Sequence, residues 1–179
     1  MNETTKNYNR RIENGDFYKF FVGLGIDIGC GGDPVAPGCV LYDKEQGDAQ
    51  YMEGMSPEKF DWVHSSHCLE HLERPDLALK HWWALIKPGG YMILTVPDFV
   101  LYEKRKFPSL LNSDHKHHFC FGSLLDLFMT LDGCQLIRMQ LNDEGFNYED
   151  MESDQTRKGA QAEIEVIARK VTNKFWANI

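Results

Sequence analysis

The sequence has no CxxC pair, and its five cysteines (Cys30, Cys39, Cys68, Cys120 and Cys134) are odd in number. That argues against a disulfide framework and against a four-cysteine zinc site, and makes a reducing, cytoplasmic setting the expectation. No apolar run reaches the roughly 18 residues a membrane-spanning helix needs. The opening MNETTKNYNRRIENGD lacks the apolar stretch of a secretory signal. Positive charge is scarce: 19 Lys plus Arg stand against 27 Asp plus Glu, a formal net charge of -8. A phosphate backbone and an anionic membrane surface both call for clustered positive charge, so neither nucleic acid nor membrane is an expected partner. Internal repeats and low-complexity blocks are also missing.

What is present reads as one domain over residues 1–179, with a lead-in at 1–21, a core at 22–170 and a tail at 171–179. Residues 3–20 carry Tyr8, Ile12, Phe17 and Phe20 near helical spacing, which predicts a helix. Short apolar runs predict strands at 24–28, 39–42, 60–64, 91–96, 134–141 and 162–168. Ser56-Pro57-Glu58 has the chemistry of a helix start, with Ser as cap and Pro in the first turn. Leu69 to Ile86 has helical periodicity interrupted by Pro75, and Gly122 to Leu131 reads as a further helix. Phe99 to Lys106 is also read as helical, and 142–160, acidic and poor in apolar residues, as a long mobile connection. Alternating strands and helices imply an open α/β sheet with a mostly parallel centre. Ligands on such sheets bind beyond the carboxyl ends of the strands. The residues just after Ile28, Tyr42, His64 and Val96 are therefore the place to look.

Gly29-Cys30-Gly31-Gly32 follows the first strand directly. Glycines there permit a sharp turn and close approach of a ligand to the backbone. A dinucleotide fingerprint fails, because its third glycine would fall at Pro34 and no helix fits before Cys39. Asp27, Asp33, Asp43 and Asp48 lie nearby in sequence and would repel a pyrophosphate. A cofactor carrying a sulfonium and an amino group would tolerate them. A plain glycine turn without a ligand is the competing reading.

Gly25-Ile26-Asp27-Ile28-Gly29-Cys30-Gly31-Gly32-Asp33-Pro34 resembles motif I of the class I S-adenosylmethionine-dependent methyltransferases. Asp43 resembles the acid that ends the family's second strand, and Gly47-Asp48-Ala49 its adenine-side segment. The stretch from Phe60 through Leu69-Glu70-His71-Leu72 resembles FDxVxSxxxLEHL, and Lys87-Pro88-Gly89-Gly90 with Tyr91 to Val96 resembles the KPGG turn and following strand. The match runs over about residues 22–170.

The resemblance implies a Rossmann-like, mostly parallel seven-stranded sheet with an antiparallel last strand. Only ten residues separate Ile28 from Cys39, so the first crossover helix is expected to be reduced. The resemblance implies S-adenosyl-L-methionine as cofactor. Gly29, Cys30 and Gly31 would pass beneath its methionine part, and Asp27 would orient the amino group. Asp43 would accept hydrogen bonds from the ribose hydroxyls, and Asp48 and Ala49 would meet the adenine. His64, Ser65 and His67 would line the methyl end.

Methyl transfer to a hydroxyl benefits from a base of near-neutral pKa, which suits histidine. His115, His117 and His118 crowd Asp114-His115-Lys116-His117-His118 and are the catalytic candidates; a solvated polar loop is the alternative. His67 and His71, four apart, would share a helical face, yet no metal site is expected. Asp98 and Tyr102 could touch the acceptor. The sequence thus points to methyl transfer to a hydroxyl or amine of a sugar or small metabolite. A small-molecule or saccharide acceptor, and a homo-oligomer or partner subunit, fit so small a chain. The competing readings are an inactive cofactor-binding regulatory module and a nucleotide-linked oxidoreductase.

Overall fold

A computed structural model describes residues 3–172; most of the predicted tail lies outside the described residues. The lead-in forms two helices, α1 (Glu3–Glu13) and α2 (Asp16–Phe20), rather than one, because Gly15 between them takes a left-handed conformation. The strands are β1 (Gly25–Ile28), β2 (Val40–Tyr42), β3 (Phe60–Ser66), β4 (Ile86–Pro97), β5 (Cys134–Asn142) and β6 (Glu163–Lys170). Two further helices are α3 (Pro75–Ala84), between β3 and β4, and α4 (Phe121–Met129), between β4 and β5. None of the helices among the described residues is long and apolar enough to cross a membrane.

The strands form one six-stranded sheet in the order β2-β1-β3-β4-β6-β5. β1 to β4 pair in parallel, and β6 runs antiparallel to both β4 and β5. This corrects the expected seven strands to six among the described residues. The segment between β2 and β3 folds as turns and adds no strand. The predicted helix at Ser56-Pro57 is absent for the same reason: Met52, Gly54 and Glu58 all have positive φ, which a right-handed helix cannot carry. No helix lies between β1 and β2 either.

Phe99 to Lys106 is a tight turn instead of a helix. Asp98 organises it by accepting the backbone N–H groups of Val100 and Leu101, and positive φ at Lys104 and Arg105 ends it. The acidic connection before β6 is packed rather than loose. Phe146, Ala160 and Ala162 bury against Leu101 in a small separate core.

The two faces of the sheet differ. One is apolar: Ile26, Ile28, Val63, Met92, Leu94, Val96, Ile164 and Val166 pack on Leu79, Trp82 and Trp83 of α3 and Leu124 and Phe128 of α4. Both indole N–H groups find backbone acceptors, Trp82 on Ala49 and Trp83 on Asp132. The other face carries Trp62, Ile93 and Ile167 under Phe20 of α2, but also a buried polar row. Arg11 of α1 lies over that row. It donates to Glu165 Oε2 at 2.8 Å, to Thr95 Oγ1 at 3.3 Å and to His64 Nε2 at 3.2 Å. Arginine is a donor only, so His64 Nε2 accepts and its Nδ1–H donates to Asp27 Oδ1 at 2.6 Å. Burial alone would raise the Glu165 carboxyl, but Arg11 and Arg10 outweigh it and hold it at about 2.

Candidate active site

The carboxyl ends of β1, β2 and β3 come together at the glycine turn. Gly29 has φ +72° and donates its N–H to the Tyr42 carbonyl, tying the turn to β2. A Cβ on Gly29 would sit 2.6 Å from Cys68 Sγ, so glycine is required where the turn crosses the segment after β3. A Cβ on Gly31 would meet open space, which leaves room over the turn for a ligand. Its N–H donates to Asp43 Oδ2 at 2.6 Å, which fixes the carboxylate at the end of β2. Asp43 and Gly31, with Cys30, Leu41 and Gln46, line an open groove of about 400 Å³. A depression of about 480 Å³ between α1 and the 144–161 connection is larger, but it is away from these strand ends. Burial, and then Asp27 and Asp43, push the Cys30 thiol up, so it stays protonated beside the groove.

The structure distributes the other expected cofactor residues unevenly. Asp48 is exposed and close enough to Tyr42, at the end of β2, that burial and then Asp48 push the Tyr42 phenol up, while the Ala49 carbonyl accepts from Trp82 of α3. Asp27, His64 and Ser65 lie beneath the turn and are buried. Both oxygens of Asp27 are engaged, by His64 and by the Val35 N–H, and Ser65 Oγ donates to the Ile28 carbonyl. These three side chains thus hold the turn from below.

His67 follows β3 at positive φ (52°), a strained position of the kind that gathers at functional sites. Its Nε2 lies 2.9 Å from Glu163 Oε2 on β6. The chain then makes one 3₁₀ turn, Leu69–His71. That break places His67 and His71 outside a common helical face, correcting the predicted relation. The loop carrying the three histidines is pinned to this turn, because the N–H groups of Lys116 and His117 both donate to the Glu70 carbonyl.

Of those histidines, only His115 turns inward. It is buried, its Nδ1 lies 2.5 Å from Glu103 Oε1, and its ring stacks on Tyr102 and meets the edge of His71. His117 places Nε2 3.3 Å from the Glu73 carbonyl, and His118 packs against Phe99 and Phe107. The structure does not bring those two into the cluster. Glu70 is buried at its centre, and burial pushes its carboxyl up despite His67, His71 and His115 around it. Burial and Glu70 also push the Cys68 thiol up to about 12, which removes it as a nucleophile.

Sequence reasoning missed Glu70, Glu103 and Glu163 as parts of this site. Glu70 stands in the Leu69-Glu70-His71-Leu72 motif, but its burial beside His115, like the pairing of Glu103 with His115 and of Glu163 with His67, shows only in three dimensions.

A parallel sheet with a glycine turn after β1 and an acid after β2 is the architecture of a class I S-adenosylmethionine-dependent methyltransferase. The chain belongs to the methyltransferase domain family, whose profile matches residues 18–129. No curated protein matches the sequence. Among solved structures, a candidate methyltransferase in complex with the Trm112 methyltransferase activator of Haloferax volcanii aligns with a TM-score of 0.64 at 11% identity, over 94% of this chain and 94% of that one. A candidate methyltransferase from Bacillus halodurans aligns at 0.62 and 15% identity, over 90% of this chain and 100% of that one. A SAM-dependent methyltransferase from Archaeoglobus fulgidus aligns at 0.61 and 18% identity, over 90% and 93%. At these identities the likeness is one of fold.

The cofactor of this enzyme class is S-adenosylmethionine, and the turn suits it. There is space above Gly31, no helix dipole awaits a phosphate, and the Asp43 carboxylate stands at the end of β2 beside the turn.

Proposed function

We propose that this enzyme methylates a hydroxyl or amine of a sugar or small metabolite. One observation carries the reading: a cluster of buried Glu70 and His115 with half-buried His67 and His71 adjoins the glycine turn through Cys68, at the ends of β3 and β4. The cofactor supplies, when bound, an electrophilic methyl whose carbon–sulfur bond breaks as the bond to the acceptor oxygen or nitrogen forms.

The chain's own residues then have three tasks. Gly29–Gly31 and Asp43, with Asp48 and Ala49 at the adenine side, hold the cofactor. Asp27, His64 and Ser65 keep the turn rigid from below, which matters because alignment of nucleophile, methyl and sulfur is the main catalytic demand. The cluster around His115 binds the acceptor and handles the proton it loses. Glu103 fixes the His115 ring through Nδ1, which leaves Nε2 facing the cluster.

The net charge of -8 supports an acceptor other than nucleic acid. The open groove and the missing crossover helix between β1 and β2 favour a large acceptor, such as a saccharide, or a partner subunit that completes the wall.

The test has two arms. Calorimetric titration with S-adenosylmethionine and its demethylated product, on wild type and Asp43→Ala, reads the cofactor half. Labelled-methyl transfer to a panel of sugars, hydroxylated metabolites and amines reads the acceptor half, with His115→Gln expected to lose turnover while keeping cofactor affinity. Cofactor binding without transfer to any acceptor would move the assignment to an inactive cofactor-binding module, the reading the exposed groove favours next.

A further inference from the structure

We infer that Glu70, His71 and His115 form a binding site for a first-row divalent metal ion. Their ligand atoms, one carboxylate oxygen and two imidazole nitrogens, all lie within 4.8 Å of one another. Glu70 Oε1 is 3.9 Å from His115 Nε2 and 4.0 Å from His71 Nε2. An ion bonded at about 2.0–2.2 Å to each in tetrahedral geometry would hold such atoms roughly 3.3–3.6 Å apart, so the two contacts to Glu70 would shorten by about 0.5 Å and the widest separation by about 1–1.5 Å, within the reach of side-chain rotation.

The hydrogen-bond pattern fixes which nitrogens face the site. His71 Nδ1 lies 3.1 Å from the Asp114 carbonyl, an acceptor only, so Nδ1 carries a proton. His115 Nδ1 is held by the Glu103 carboxylate at 2.5 Å. Each ring therefore turns Nε2 toward Glu70 with its lone pair available. A ligand histidine anchored through its other nitrogen by a carboxylate or a carbonyl is the usual outer arrangement of a metal site.

The independent observation is Glu70 itself. Its residue is 1% exposed, and neither carboxylate oxygen has a hydrogen-bond partner. His67 Nδ1 is 3.5 Å from Oε1, but makes no hydrogen bond to it. A buried, unsatisfied carboxylate is costly and requires compensation. Its neighbours here are imidazoles, whereas the chain closes the equivalent need at Glu165 with arginine. A cation is what the position is missing. Two imidazoles and one carboxylate suit Zn²⁺, Co²⁺, Mn²⁺ or Fe²⁺ and leave coordination positions open. An ion there would bind an acceptor hydroxyl and lower its pKa, releasing the proton to solvent, so no imidazole need serve as base. That last role rests on the proposed methyl transfer; the ion site itself does not.

The test is Co²⁺ titration of the chelator-treated, full-length protein, followed by visible absorption and calorimetry. One ion per chain with nitrogen-ligand absorption is expected, displaced by Zn²⁺. His71→Ala, His115→Ala and Glu70→Gln should each weaken binding by at least 10-fold, and Glu103→Gln by about 10–100-fold. S-adenosylmethionine binding measured on the same samples reports folding and tests the enzyme reading separately. A wild type that binds cofactor but no Co²⁺ overturns the site. So does Co²⁺ affinity unchanged by His71→Ala, a half-buried position where the variant will fold. Co²⁺ binding without cofactor binding would uphold the site and sink the methyltransferase assignment.

Discussion

Two buried histidine–carboxylate clusters occupy this small molecule, and the chain finishes only one of them. Under α1, every carboxylate oxygen is engaged: Asp27 by His64 and Val35, Glu165 by Arg10, Arg11 and Arg138. Beyond β3, neither oxygen of Glu70 has a hydrogen-bond partner, and one oxygen of Glu103 lacks one. The first cluster staples the lead-in helix to the sheet and keeps the strand beneath the glycine turn in place. The second sits where a substrate must arrive. Satisfied polar groups in a core read as architecture, whereas unsatisfied ones at the ends of parallel strands read as a site awaiting a ligand.

The largest expected effect comes from breaking the finished cluster. Arg11→Ala leaves Glu165 buried without its main partner and exposes His64 Nε2 to an empty space. A loss of about 3–5 kcal/mol in urea denaturation is expected, as for other broken buried pairs. An effect under 1 kcal/mol would mean that Arg10 and Arg138 suffice, and that the cluster is not the staple it is taken to be.

The same cluster sets an acid limb. Glu165 has a folded pKa of about 2, below the roughly 4.3 of an unfolded glutamate. The native state therefore binds fewer protons in that window, and its stability falls as pH drops through it. The contribution, of order 3 kcal/mol, is complete above about pH 5 and lost progressively toward pH 2. Glu165→Gln should flatten this limb in denaturation curves taken between those values. A limb unchanged in the variant would assign acid sensitivity to other carboxylates.

Asp43→Ala tests the groove. Loss of charge-assisted hydrogen bonds worth about 1.5–3 kcal/mol should weaken S-adenosylmethionine binding by about 10–100-fold, with the fold intact. Equal affinity in the variant would place the cofactor's ribose elsewhere.

The sheet was readable because β1, β3, β4 and β6 are short apolar runs bounded by glycine, proline or acidic residues. The acid after β2 and the glycine turn were readable because backbone chemistry at those points limits the residue choice. The seventh strand was not, since only turn geometry at Met52, Gly54 and Glu58 shows that the segment between β2 and β3 forms none. The unfinished cluster was also hidden. Glu103 to His115 and His67 to Glu163 are contacts across the chain, and the turn at His67 breaks the helical spacing that seemed to link it to His71. Its buried acids come to light only when hydrogen-bond partners are counted in three dimensions.

Glu70→Gln sharpens the contrast because its sign should be opposite to that of Glu165→Gln. The change removes a buried carboxylate that has no hydrogen-bond partner and offers amide protons to the Nε2 atoms of His71 and His115. Metal-free protein should gain about 1 kcal/mol in stability at pH 7. Co²⁺ should then stabilise wild type by mass action and leave the variant unmoved. A loss of stability in the metal-free variant would show that the histidines already satisfy Glu70.

The smallest effect is expected from His118, and its smallness is informative. His115 and His118 belong to one run of polar residues and nothing in composition tells them apart. Their surroundings do: His115 is buried against Glu103 and Tyr102, while His118 is exposed between Phe99 and Phe107. His118→Ala removes ring contacts at the surface and no hydrogen-bonded partner in the cluster. Stability should change by about 0.5 kcal/mol or less, and cofactor and Co²⁺ affinities should stay at wild-type values. If methyl transfer nevertheless fell with His118→Ala while both affinities held, the acceptor would have to reach outward along Phe99 and Phe107. The site would then extend from the buried cluster to the surface loop rather than end at His115.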